Sequence, residues 1–202
     1  SVKKKKSKFI ASINVDNKKK YFFISSNFEN NLKNLLAAIT VISIFKDVKT
    51  LNKNIFYNFE NPIGRGDISK IKINNKNIFL IDESYNSNPL SLTSAINNFD
   101  LIDNKNKKKH VILGDMLELG KHSRKLHLKM SDIINSSSID TVNVFGKYIK
   151  ETYKNICNEK KGLVLKETSE IIDLIKNNIN NNDYLMIKGS NATGLHKLTS
   201  SL

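Results

Sequence analysis

His110-Val111-Ile112-Leu113 runs directly into Gly114-Asp115-Met116-Leu117-Glu118-Leu119-Gly120. A short apolar run closed by glycine has the length of a strand buried on both faces and is too short for a helix. Behind it, Ser123–Asn135 carries apolar residues at helical steps. The same unit recurs downstream. Thr141–Phe145, Leu163–Leu165 and Tyr184–Ile187 are short β-rich runs. Helical patterns over about Leu90–Leu101, Lys147–Ile156 and Ser169–Asn178 lie between the strands, and a last helix starts near Thr193. Such alternation predicts a mostly parallel sheet with helices on both faces. Upstream, Ile68, Ile71 and Ile73 lead through the turn pair Asn74-Asn75 to Ile78–Ile81, which reads as an antiparallel hairpin opening the same domain. Ligands of such sheets sit at the carboxyl ends of the strands, which selects the loops after Ile81, Leu113, Phe145 and Ile187.

Before Asn61-Pro62 the rhythm differs. Phe9–Val15 and Tyr21–Ile24, split by Asp16-Asn17-Lys18, read as a hairpin or the tail of a sheet. Leu32, Leu35, Leu36, Ile39, Ile42 and Phe45 recur at three- and four-residue steps as one helical stripe, with Ser26 or Asn27 as its N-cap. Residues 46–61 are polar and irregular, so a domain boundary is expected at Asn61-Pro62, giving domains 1–61 and 62–202.

The chain has 202 residues, 39% of them hydrophobic and 26% charged, enough for a packed core. Two prolines and eight glycines exclude collagen-like and proline-rich classes. The one cysteine, Cys157, excludes an internal disulfide and a thiolate metal cluster. No stretch reaches the roughly 18–20 apolar residues of a membrane span, and Lys3–Lys6 leads into no apolar signal region. The net charge of +14 is carried almost wholly by lysine, with arginine only at positions 65 and 124. Base-edge readout leans on arginine. Lysine interleaved with asparagine reads instead as a solvated surface shaped by AT-rich codons, and no nucleic-acid partner is expected.

Three loops can carry chemistry. Asp82-Glu83-Ser84-Tyr85-Asn86-Ser87-Asn88-Pro89 gathers two carboxylates, a phenol and two amides at a strand end. A carboxylate there can accept ribose hydroxyls, while Asn88-Pro89 is also ordinary helix-start chemistry. Gly114–Gly120 reads as a tight turn with its apolar residues inward, and His122 and His127, five apart, fall on different helix faces and make a poor metal pair. Lys188-Gly189-Ser190-Asn191-Ala192-Thr193-Gly194 offers a lysine and free amides before the last helix, suited to a carboxylate or phosphate. Its glycine spacing is not a complete triphosphate loop, because Leu195-His196 stand where Lys-Ser/Thr belongs. Gly64-Arg65-Gly66 fails as a dinucleotide fingerprint, since Ser69 holds the third glycine position; an arginine between glycines makes a good phosphate clamp, though the same segment also reads as a plain surface turn.

In order and spacing, these segments resemble the Mur ligases of peptidoglycan synthesis. The resemblance is carried by Asn30-Asn31-Leu32-Lys33-Asn34-Leu35-Leu36-Ala37-Ala38, Gly64-Arg65-Gly66, Asp82–Pro89, Gly114–Gly120 with His127, and Lys188-Gly189-Ser190. The Tyr-Asn-x-Asn-Pro and Gly-Asp-Met-x-Glu-Leu-Gly stretches point within the family to the member that adds D-alanyl-D-alanine to UDP-N-acetylmuramoyl-tripeptide. The resemblance implies a Rossmann-like α/β domain over 62–202, preceded by the tail of a central ATPase domain over 1–61. The P-loop, the magnesium ligands, the carbamylated lysine and the UDP-binding domain would all precede Ser1, as missing N-terminal domains. It implies ATP and Mg2+ as cofactors, a cytoplasmic monomer, and amide formation through an acyl phosphate. Asn34, with Asn30 near it, would contact adenine, although the family often has histidine where Asn30 stands. Arg65 would reach the ATP phosphates and Asp82 the ribose. Tyr85, Asn86 and Asn88 would line the cleft on the nucleotide or dipeptide side, and Lys188 and Ser190 would hold the peptide substrate. On this reading the chain alone catalyses nothing, and Arg65 supports a catalytic centre that lies elsewhere. The rival readings are a stand-alone nucleotide- or peptide-binding α/β module and a basic nucleic-acid-binding protein.

Overall fold

A computed structural model describes residues 2–5, 8–15, 17–24, 32–58 and 64–202. The chain divides into two compact units, Ser1–Asn61 and Pro62–Leu202.

In the first unit, strands β1 (Val2–Lys5), β2 (Lys8–Val15) and β3 (Lys18–Ile24) form an antiparallel sheet in that order. The two longer strands were legible as apolar runs, whereas β1 is mostly lysine and carried no such signal. Helix α1 (Leu32–Phe45) follows. Its core partners are Ala11, Ile13, Phe22 and Ile24 of the sheet, met by Leu35 and Ile39 and closed below by Val48. The expected stripe is therefore only partly buried: Leu36 and Phe45 are exposed, as are Val41 and Ile44. Lys20 ties the sheet to the following turns by donating to the carbonyls of Lys49 and Leu51. The capping residues expected at Ser26 or Asn27, and the boundary at Asn61-Pro62, lie outside the described residues.

The second unit opens with β4 (Asp67–Ile73) and β5 (Lys76–Glu83), an antiparallel pair joined by Asn74-Asn75. Both asparagines have positive φ, 47° and 61°, which the short polar side chain of asparagine tolerates better than most residues. There follow α2 (Pro89–Asp100), β6 (Lys109–Gly114), α3 (Ser123–Ser136), β7 (Thr141–Phe145), α4 (Lys150–Lys154), β8 (Lys161–Leu165), α5 (Thr168–Asn178), β9 (Tyr184–Lys188) and α6 (Leu195–Thr199). The six strands lie in the order β4-β5-β9-β6-β7-β8. All pairings but β4–β5 are parallel.

Strand side chains alternate between two cores. Ile81, Val111, Leu113, Val142, Val144 and Met186 pack with Leu92, Ile96, Phe99, Met130 and Ile134 of α2 and α3. Their neighbours Leu80, Ile112, Leu185 and Ile187 pack on the other face with Ile171, Leu174 and Ile175 of α5 and with Leu195 and Leu198 of α6. Each such side chain, fully buried, contributes about 1.5–3 kcal/mol, so the two-sided sheet is the chief source of stability. The expected helix over Lys147–Ile156 shrinks to the five residues of α4. The preceding turn is held open by Asp115, whose carboxylate accepts from Lys147 N at 2.9 Å and Ile149 N at 2.7 Å.

The topology fixes where a ligand can sit. The loops after β5 and β6 lead to α2 and α3 on one face, while β9 between them leads to α6 on the other. Chains that leave adjacent strand ends in opposite directions open a crevice there.

Candidate functional site at the carboxyl ends of β5, β9 and β6

Three segments meet at that crevice. The first is the turn Gly64-Arg65-Gly66, which lies against the end of β5. Gly66 N donates to Asp82 O at 2.7 Å, and Tyr85 N donates to Gly64 O at 3.3 Å. Both glycines have positive φ, 80° and 91°. A Cβ on Gly66 would stand 2.7 Å from Glu83 Oε1, and one on Gly64 would stand 3.0 Å from Tyr85 Cβ. At both positions the backbone conformation strains any other residue, so glycine favours the turn that presents Arg65. Its guanidinium lies over the Tyr85 ring, 4.7 Å from the centroid, and no acid among the described residues pairs with it.

The second segment is the β5–α2 loop. Asp82 Oδ1 accepts from Ser84 N at 3.0 Å and also from Ser84 Oγ, whose oxygen lies 3.1 Å from Thr199 Oγ1. The carboxylate is thereby fixed through one oxygen. Tyr85 and Asn86 are exposed. Asn86 Oδ1 accepts from Ser87 N at 2.8 Å. Asn88 is the N-cap of α2: its Oδ1 accepts from Ser91 N at 2.8 Å, and Ser91 Oγ accepts from Asn88 N at 3.0 Å. This reciprocal box is worth about 1 kcal/mol to the helix and occupies the Asn88 side chain. Ser87 Oγ is buried with no hydrogen-bond partner among the described residues.

The third segment is Lys188-Gly189-Ser190 at the end of β9. Lys188 is 1% exposed. Its ammonium donates to Glu83 Oε2 at 3.3 Å and to Asn86 O at 3.0 Å. Burial pulls the Lys188 pKa below its ordinary value, and Glu83 opposes that shift. Ser190 is also buried, donating to Ser87 O at 3.2 Å and accepting from Leu117 N at 2.8 Å. The structure thus gathers Arg65, Asp82, Tyr85, Asn86, Asn88, Lys188 and Ser190 at one end of one sheet. Asn34 is exposed on α1 in the first unit. Asn30 lies outside the described residues.

Glu83 was missed as a site residue. Strand periodicity sends Asp82 and Glu83 to opposite sides, and the β5–β9 register sets Glu83 opposite Lys188. That register joins residues 105 apart in the chain, and no local pattern announces it. The Gly114–Gly120 loop is a frame, as the inward-turn reading expected. Met116 is fully buried, and its N–H donates to His127 Nε2 at 3.0 Å. His127 in turn donates from Nδ1 to Ser123 O at 2.8 Å, which fixes its tautomer. Among the described residues no group of histidine, cysteine or acidic side chains could hold a metal ion, and no helix is long and apolar enough to cross a membrane.

Fold and cluster together define an α/β domain with a crevice, lined by charged and polar side chains, at the carboxyl edge of its central parallel strands. Residues 69–191, more than half of the chain, match the family described as Mur ligase, glutamate ligase domain, and the chain belongs to that family. It is similar to UDP-N-acetylmuramoyl-tripeptide–D-alanyl-D-alanine ligase of Rickettsia prowazekii, with 29% identity over 87% of this chain and 37% of that protein. The ligase of the same name from Buchnera aphidicola (subsp. Baizongia pistaciae) is 29% identical over 100% of this chain and 45% of that one. Among solved structures, the MurF ligase of Thermotoga maritima in complex with ADP superposes with a TM-score of 0.69, at 20% identity over 99% of this chain and 44% of its own. An Acinetobacter baumannii MurF gives 0.72 at 17% identity, over 100% and 44%. The chain spans less than half the length of these relatives.

Proposed function

We propose that this chain is the nucleotide-closing part of an ATP-dependent amide ligase that adds D-alanyl-D-alanine to UDP-N-acetylmuramoyl-tripeptide. Residues 62–202 are the C-terminal domain of that ligase and residues 1–61 the tail of its central domain. The observation that carries this reading is the Arg65 guanidinium, unpaired by any acid among the described residues and laid on the Tyr85 ring, on a turn whose Gly66 N donates to Asp82 O.

The residues fit a nucleotide. Arg65 supplies an accessible cation to phosphate oxygens. Asp82, anchored through Oδ1, turns its other oxygen to a ribose hydroxyl, and Tyr85 is a platform for the arginine. ATP supplies the phosphoryl group that activates the tripeptide carboxylate. The dipeptide amine then displaces phosphate to leave an amide. Residues of this chain act on that chemistry by binding and orientation, closing over the nucleotide. Among the described residues no cluster of ligands offers itself to magnesium. The cytoplasm, where nucleotide-linked precursors are made, is the compartment for this activity.

The test is calorimetric titration of ADP into the 202-residue chain. Weak binding is expected. Arg65→Ala should lower the affinity by about tenfold, the value of one charge-assisted phosphate contact, with the unfolding midpoint almost unchanged. Equal affinity in both proteins removes Arg65 from the phosphate site.

A further inference from the structure

We propose that Glu83 and Lys188 form an internal strut that holds the Arg65–Tyr85 platform in shape, so that Lys188 is a positioning residue and not a ligand of the peptide substrate. The proposal rests on the reading above only in taking this end of the sheet as the nucleotide site.

Three observations carry it. First, the Lys188 ammonium is already engaged, by Glu83 Oε2 at 3.3 Å and Asn86 O at 3.0 Å, inside a side chain 1% exposed. To meet a substrate carboxylate the buried ammonium would have to leave Glu83, a half-buried carboxylate that would lose its counter-charge. Its lowered pKa, caused chiefly by burial, agrees with a cation that solvent does not reach. Second, the two residues face each other in the β5–β9 register, so the pair is built into the sheet and not made by a mobile loop. Third, the pair touches both halves of the platform. A Cβ on Gly66 would stand 2.7 Å from Glu83 Oε1, so the carboxylate lies close beside the turn that presents Arg65. Lys188 holds Asn86 O and so fixes the loop that presents Tyr85. Remaining clips, Gly66 N to Asp82 O and Tyr85 N to Gly64 O, tie turn to loop. With the strut removed, the 4.7 Å stacking of Arg65 on Tyr85 loses its support from beneath.

The experiment uses the whole chain and the Arg65 Nε–Hε resonance. Arg65 and Arg124 are the only arginines in the sequence, so the signals separate readily. The ring-current shift from Tyr85 is defined by comparison with Tyr85→Phe, which keeps it, and Tyr85→Ala, which abolishes it. Lys188→Met, near in shape and uncharged, is expected to lose that shift while its circular dichroism stays that of the unmodified chain. Glu83→Gln is expected to move the resonance in the same direction by a smaller amount. The double variant is expected to match Lys188→Met alone, because both changes remove one interaction. An unchanged Arg65 resonance in folded Lys188→Met, or additive effects in the double variant, overturns the strut. Should Lys188→Met fail to fold, Glu83→Gln decides: a resonance that stays in place overturns the proposal. Titrating ADP into the same proteins separates the two readings. An unmodified chain that does not bind ADP sinks the nucleotide site and leaves the strut standing.

Discussion

The two ends of the six-stranded sheet carry similar chemistry and use it differently. At the amino end, each buried charged group is consumed by the fold. Lys109 donates to Asp100 O at 2.7 Å and Ser138 Oγ at 3.2 Å. Asp183, 3% exposed, accepts from Lys108 N at 3.1 Å, Asn180 N at 2.9 Å and His110 Nε2 at 3.2 Å. These bonds staple strand starts to the turns that precede them. At the carboxyl end, Lys188 and Glu83 are likewise paired, but Arg65 above them has no acid partner among the described residues. Charge at a strand end is therefore not by itself a site. A site shows as a charge left over once the fold has taken what it needs.

The largest effect that could break this contrast is at Asp183. Asp183→Ala would leave two backbone N–H groups and the His110 ring without their acceptor. Orphaned buried donors cost about 1–3 kcal/mol each before relaxation, so a net loss of about 3 kcal/mol is expected in urea unfolding. ADP affinity should not change, because nothing at the carboxyl end touches this carboxylate. A loss of affinity without a loss of stability would reverse the roles assigned to the two ends.

The sequence made these ends unequal to read. The strands were legible because β6 and β9 are buried on both faces and so appear as unbroken apolar runs. The Asn74-Asn75 turn and the Asn88-Pro89 helix start were legible because their backbone geometry demands particular residues. Arg65 stood out as an arginine between glycines. What stayed hidden depends on strand order. Nothing local says that β9, last in sequence, inserts between β5 and β6, so neither the Glu83–Lys188 pair nor the contact of Ser190 with Ser87 could be read in advance. Helix α1 shows the opposite failure. Its apolar residues are too many for one stripe, and Leu32, Leu35 and Ile39 were indistinguishable by type from Leu36 and Phe45, which lie exposed.

A smaller effect sharpens the carboxyl end. Lys188 binds its proton less tightly in the folded chain than in the unfolded one, because burial outweighs the attraction of Glu83. Between that lowered value and the ordinary lysine value of about 10.4, the unfolded chain therefore holds more protons. Stability gains a rising contribution with pH across that alkaline interval, and the contribution is flat below it. Lys188→Met abolishes the titration. Urea midpoints of the two proteins from neutral to alkaline pH should thus show the unmodified chain gaining on the variant as pH rises. A gap that narrows instead would mean that Glu83 contributes more to Lys188 than burial costs, and the strut would be a stabilising ion pair in its own right.

The smallest expected effect tests the amino end in acid. Asp100 closes α2, and its Oδ1 accepts from Ser138 N at 2.5 Å. Hydrogen bonds from Ser138 hold its pKa below the ordinary carboxylate value, helped by Lys109 and Lys160 and opposed by partial burial. A depressed folded value means stability that is present above the unfolded value of about 3.9 and lost as pH falls through the lowered one. Asp100→Asn keeps an oxygen for Ser138 N but cannot carry the charge. The variant should be slightly less stable than the unmodified chain at neutral pH, with the two converging in acid as the native carboxylate protonates. The group is half-buried but still reaches solvent, so the gap is small and screened by salt. Raising the ionic strength at neutral pH should shrink the part due to Lys109 and Lys160 and leave the part due to Ser138. A gap that vanished entirely in salt would place the stabilisation in the lysines, and the amino end would then depend on charge where the geometry gives it hydrogen bonds.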